Sequence, residues 1–140
     1  MTDWVVDASV AVKWLFPEPD QDKAFALLDE ANTLHAPDLL SIEVLSAITK
    51  KQHRKEISSA VARAAAQATS AFPLQRHATT SLLGSAFDLS LDTGASVYDS
   101  VYLALAFLLD ARLITADRKL VSALRPTPWR DRVQWVGEVH

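Results

Sequence analysis

The chain has 140 residues, 49% of them hydrophobic, and a formal net charge of -3. That length and apolar share predict a single domain over residues 1–140 and exclude a disordered chain. The lack of cysteine excludes disulfides, thiolate nucleophiles, zinc–thiolate sites and iron–sulfur clusters, and the lack of a basic stripe argues against a passive nucleic-acid binder.

In chain order, Trp4 to Asp7 reads as a short buried strand. Ser9 to Phe16 follows as a helix, stopped by Pro17 and Pro19. Asp20 suits the N-cap of a helix to about Ala31, with Phe25, Leu27 and Leu28 facing inward. Leu34 to Ala36 is a brief strand, and Asp38 caps a helix to about Lys51. Ser58 or Ser59 opens an alanine-rich helix that ends before Pro73. Leu74 to His77 is a weak strand. Thr79 or Thr80 caps a helix to about Leu91, which Gly94 breaks. Ser96 caps the helix Val97 to Leu109. Arg112 to Thr115 is a strand, Asp117 to Leu124 a short helix, and Gln134 to Val136 a last edge strand. Strands separated by helices predict right-handed crossovers and a mainly parallel sheet of about five strands between two helical layers, an α/β/α sandwich. The longest apolar run, Val101 to Leu109, is far short of the roughly 20 residues that span a bilayer. With no signal-peptide pattern, the expectation is a soluble, cytoplasmic protein with no membrane partner.

Four acids interrupt apolar surroundings. Asp7 ends Trp4-Val5-Val6, Glu43 sits within Leu39 to Leu45, Asp99 opens the run to Leu109, and Asp117 follows Leu113 to Ala116. Each has an ordinary reading. Asp7 suits a turn, Asp99 the first turn of a helix, Asp117 an N-cap, and Glu43 a solvent-facing position. Together they require four separate accidents, because buried carboxylates are costly without partners. A common cation is the economical reading, and oxygen-only ligands select magnesium or manganese. Asp7 and Asp117 fall at carboxyl ends of strands, where open parallel sheets bind ligands. Such a cluster suits phosphoryl transfer, in which divalent ions activate water and stabilise the leaving oxygen. The four histidines, His35, His53, His77 and His140, lack metal-ligand spacing. With three glycines the chain has no phosphate-binding glycine loop.

At these residues the sequence resembles the PIN-domain ribonucleases, and among them the VapC-type toxins of toxin–antitoxin pairs. Val5-Val6-Asp7-Ala8-Ser9-Val10 is similar to the family's first motif and Pro37 to Leu45 to its second. Tyr98-Asp99-Ser100-Val101-Tyr102-Leu103-Ala104-Leu105-Ala106 and Leu113-Ile114-Thr115-Ala116-Asp117-Arg118-Lys119-Leu120 are similar to its last two. The resemblance implies a metal-dependent endoribonuclease in which Asp7, Glu43, Asp99 and Asp117 hold one or two magnesium or manganese ions. It implies that Ser9 and Thr115 place hydroxyls beside the site, where they would steer a carboxylate or water; an N-cap and a strand end are their plainer readings. It further implies an RNA substrate, a cognate antitoxin and a two-fold homodimer. The dimer also fits the apolar surplus at Val44, Leu45, Ile48, Phe107 and Leu108. Lys13, Arg118 and Lys119 fall near the crevice and are candidate contacts to an RNA backbone, with solvated charge as the competing reading. The alternatives are a catalytically idle PIN-like binding module, a PIN nuclease without toxin function, and a phosphoacceptor receiver-like domain. The last would want a lysine where the chain has Thr115-Ala116-Asp117.

Overall fold

The computed structural model describes residues 2–139. His140 lies outside them. Among the described residues, five strands form one sheet: β1 (Thr2–Val6), β2 (Asn32–Pro37), β3 (Gln75–His77), β4 (Arg112–Thr115) and β5 (Val133–Trp135). Their order is β3-β2-β1-β4-β5, and every pair is parallel. Val5, Val6, Leu113 and Ile114 are fully buried, as expected of central strands covered on both faces.

Among the described residues, seven α-helices connect or flank the strands: α1 (Ala8–Ala11), α2 (Gln21–Ala26), α3 (Leu39–His53), α4 (Ser59–Thr69), α5 (Leu83–Thr93), α6 (Val97–Leu108) and α7 (Arg118–Leu124). From β1 to β3 the chain steps in one direction across the sheet. Between β3 and β4 it reverses, so right-handed crossovers put α5 and α6 on the face opposite α3 and α4. Helix α6 explains its own composition. Ser100 through Ala106 are all buried, so the helix is apolar around most of its circumference. No helix among the described residues is long and apolar enough to cross a membrane.

Several local signals act as expected. The Ser58 and Ser96 hydroxyls accept from the amides of Val61 and Asp99. Gly94 takes a left-handed φ of 79° just past α5. Others do not. The helix expected over Ser9–Phe16 is one α turn followed by a 3₁₀ turn, Val12–Trp14. Asp20 has a φ of 63°, a conformation aspartate tolerates, and its side chain caps nothing. Helix α2 stops at Ala26 instead of running to Ala31, so the inward positions go to Ala24 and Leu27, while Phe25 and Leu28 are exposed. Asp38 does not cap α3 with its side chain. It accepts from the amide and hydroxyl of Thr79, and the Thr79 hydroxyl in turn accepts from the Leu39 amide. Thr79 therefore caps α3 across space and begins a 3₁₀ turn, Thr79–Leu82, ahead of α5. Val44 and Ile48 lie in the core and add nothing to the surface apolar surplus; Leu45, Phe107 and Leu108 are exposed.

Candidate active site

The reversal of chain direction leaves a crevice at the carboxyl ends of β1 and β4, which are hydrogen-bonded neighbours. Asp7 follows β1 directly. Its amide donates to the Ile114 carbonyl at 3.1 Å, which ties it to β4. The carboxylate is 7% exposed. One oxygen, Oδ2, accepts from the Thr115 hydroxyl at 2.7 Å and the Ser9 hydroxyl at 3.1 Å. Ser9 Oγ also accepts from the Ala116 amide, and Thr115 Oγ1 from the Asp117 amide. Both hydroxyls thus have their orientation fixed by backbone and direct a proton at Asp7. Burial pushes the Asp7 carboxyl above its ordinary range, against the pull of these donors.

Glu43 projects from α3 and is half-buried. Its Oε1 accepts from the Tyr102 phenol at 2.6 Å. Asp99, in the first turn of α6, is also half-buried. Burial raises Glu43, the phenol opposes that, and the charges of Asp7 and Asp99 raise it further. Burial also raises Asp99, followed by the charge of Asp7; the Ser96 hydroxyl opposes and the charge of Asp117 adds. Asp117 is exposed at the rim and caps α7, with Oδ1 accepting from the amides of Lys119 and Leu120. Its plainer reading as an N-cap therefore holds alongside its place near Asp99. The four acids grade from buried Asp7, through half-buried Glu43 and Asp99, to exposed Asp117.

Tyr102 is a site residue that the sequence reading left inside an apolar run. It lies one helical turn after Asp99, and that i, i+3 spacing was the available signal. Burial first, then the charges of Asp7 and Glu43, push its phenol far up, so it stays protonated and donates to Glu43. Lys13 is a correction. It is 7% exposed, and its ammonium donates to the Pro19 carbonyl at 2.7 Å and to Glu18 at 3.5 Å. Its ammonium is engaged at the proline bend, leaving it buried there. Arg118 and Lys119 are exposed.

Among the described residues, no three carboxylate or histidine side chains already stand as a ready coordination shell. Glu43 is turned to Tyr102, and Asp117 to the amides of α7. The donor set nevertheless fits a hard divalent cation. It is all oxygen, the charge of Asp7 raises the proton affinity of both Glu43 and Asp99, and among the described residues its side-chain hydrogen-bond partners are hydroxyls.

A family model describing the PIN domain matches residues 4–124. Ribonuclease VapC3 of Pyrobaculum aerophilum is 33% identical over 118 residues, covering 83% of this chain and 90% of that protein. Ribonuclease VapC9 of Mycobacterium tuberculosis is 30% identical over 116 residues, covering 83% and 87%. Among solved structures, VapBC2 from Rickettsia felis bound to a promoter DNA fragment superposes with a TM-score of 0.65 at 12% identity, covering 96% of this chain and 98% of that one. VapC20 from Mycobacterium tuberculosis, described as a Sarcin-Ricin loop cleaving toxin, superposes at 0.64 with 13% identity, covering 86% and 94%. Fold and acidic cluster together define a parallel α/β domain with electrostatically coupled carboxylates at its switch point. The chain belongs to the PIN-domain family.

Proposed function

We propose that residues 1–140 act as a single PIN-like unit, a metal-dependent endoribonuclease serving as the toxin of a toxin–antitoxin pair. One observation carries the reading. Four carboxylates from β1, α3, α6 and the β4–α7 turn gather at the sheet's switch point, and three have raised proton affinity. The ribonuclease names of relatives at 30–33% identity support the choice of RNA.

Asp7, Glu43, Asp99 and Asp117 would hold magnesium or manganese, and this all-carboxylate set offers zinc neither thiolate nor imidazole. When bound, the ion supplies Lewis-acid activation of water and stabilises the leaving oxygen. The chain's own contributions are orientation and proton control. The Thr115 and Ser9 hydroxyls both hold Oδ2 of Asp7, and Oδ1 accepts from the Ser9 amide at 3.5 Å. Tyr102 holds one oxygen of Glu43 and leaves the other without a hydrogen bond among the described residues. Water attacks phosphorus directly, so the RNA 2′-hydroxyl has no role as nucleophile, and products carry a 5′-phosphate and a 3′-hydroxyl. A cytoplasmic location, a two-fold dimer and an antitoxin docking near the crevice complete the proposal; exposed Leu45, Phe107 and Leu108 offer apolar surface for such contacts.

The test is purified protein on total cellular RNA with magnesium, manganese or excess chelator, followed by mapping of product ends. Metal-dependent cuts with 5′-phosphate ends are expected. Full activity in chelator, or 2′,3′-cyclic phosphate ends, would refute the mechanism.

A further inference from the structure

Beside the acidic pocket, the edge strand carries an assembly that the acids do not use. Trp135 ends β5 and pairs in register with Thr115, the residue whose hydroxyl donates to Asp7. Neighbouring strands lie about 4.8 Å apart, so Trp135 stands one strand beyond the site at the same height. Its indole rests on Gly137. A Cβ there would fall 2.4 Å from one ring carbon and within 2.6 Å of two more, so only glycine lets the ring lie where it does. On this ring sits Arg118, next in sequence to Asp117, with its guanidinium carbon 3.7 Å from the ring centroid.

A guanidinium stacked this closely keeps its N–H edge directed outward, with less rotamer freedom left to lose. Arg118 also shares a cavity of about 280 Å³ with Arg125 and Glu138. Two guanidinium groups beside one carboxylate would be expected to form an ion pair. Among the described residues neither arginine has one. Both charges are exposed and line the same cavity without a salt bridge, in a chain whose net charge is negative.

We infer that Arg118, aligned by Trp135 on Gly137 and joined by Arg125, forms a ledge that grips phosphates of the RNA strand as it leaves the acidic pocket. The inference deepens the ribonuclease reading and rests on it. Planar guanidinium donors match phosphate oxygens in pairs, and an aligned fork forms those bonds at lower entropic cost. The Trp135 face is taken by Arg118, so the ledge reads backbone charge in preference to stacking a base. It fixes the strand's path, whereas the carboxylates, which repel RNA until a cation is bound, carry the chemistry. Trp135 and Gly137 are positioning residues that act through Arg118.

Two readouts on the full chain test this: anisotropy of a short fluorescein-labelled single-stranded RNA with calcium present, and cleavage kinetics with manganese, each over a salt series. Arg118→Ala should weaken binding and raise KM about 5- to 10-fold, keep kcat within about twofold, and flatten the slope of log affinity against log salt by about 0.7. Trp135→Leu should raise KM but keep the slope, because the charge stays while its alignment is lost. Trp135→Phe should restore most of the affinity. Unchanged affinity and slope for Arg118→Ala would overturn the ledge, whether or not the protein cleaves RNA. So would an effect of Arg118→Ala confined to a protein partner, or a wild-type protein that does not bind RNA. Weaker binding by Arg118→Ala in a protein that cleaves no RNA would retain the ledge and remove the nuclease reading.

Discussion

Two titratable clusters lie on the same sheet, and they solve burial in opposite ways. Across β1, β2 and β3, His35 Nδ1 meets His77 Nε2 at 3.0 Å, and His35 Nε2 meets Asp3 at 3.0 Å. Donors and acceptors match, and a single proton between the rings satisfies both. Burial and the neighbouring ring hold His77 below its ordinary value, in the neutral form this pairing needs. At the carboxyl ends of β1 and β4, by contrast, four groups of one sign converge, and among the described residues their side-chain partners are hydroxyls. The histidine chain is complete as it stands and reads as structure. The acidic cluster has no salt-bridge partner among the described residues and reads as function, because its hydroxyl donors ease the repulsion without supplying an opposite charge.

The largest effect expected is on Asp7. Asp7→Asn should cut RNA cleavage on the order of 10³-fold, since the amide keeps the shape and loses the charge. In chelator the same variant should gain about 1 kcal/mol, roughly 3–5 °C in melting temperature. Calorimetry that finds it less stable would recast Asp7 as structural and dissolve the contrast. His35→Leu should behave in the opposite way. It should lose about 1–3 kcal/mol by stranding His77, with cleavage per folded molecule unchanged. Tyr102→Phe lies between them. Activity should fall about 10-fold and stability by about 1 kcal/mol, as Glu43 loses its one neutral donor.

The two clusters also carry opposite pH signs. Asp7, Glu43 and Asp99 bind protons more tightly in the fold than in the unfolded chain. In chelator they therefore stabilise below the ordinary carboxylate range, and this stability is lost as pH rises through their raised values. His77 is depressed, so its contribution is present above the ordinary value of 6.5 and fades as pH falls below it. Melting curves run upward from about pH 4, the ordinary carboxylate range, should show the advantage of Asp7→Asn growing toward high pH. A constant advantage would mean that Asp7 does not titrate as described. The smallest effect belongs to Ser100, whose buried hydroxyl has no partner among the described residues. Ser100→Ala should change stability by less than about 0.5 kcal/mol, because nothing is left unpaired.

The fold was legible where local chemistry decided it. The buried parallel strands read as apolar runs, and α6 as an apolar helix behind a serine cap. The four acids stood out because each broke such a run. What stayed hidden depends on contacts distant in sequence. Thr79 caps α3 from 40 residues away, and His35 pairs with His77 across 42. No periodicity announces either. Lys13 looked like a surface cation because its burial comes from the Pro17–Pro19 bend folding over it. Tyr102 was read by its ring, and its hydroxyl acquires meaning only when α3 brings Glu43 to it.

Calorimetric titration of manganese into the metal-free protein at neutral pH, alongside Asp7→Asn and Asp99→Asn, tests the central claim most directly. The wild type should bind one or two ions with release of protons, and each variant should lose at least about 10-fold in affinity. Equal affinity in all three proteins, or no binding by the wild type at millimolar manganese, would contradict it.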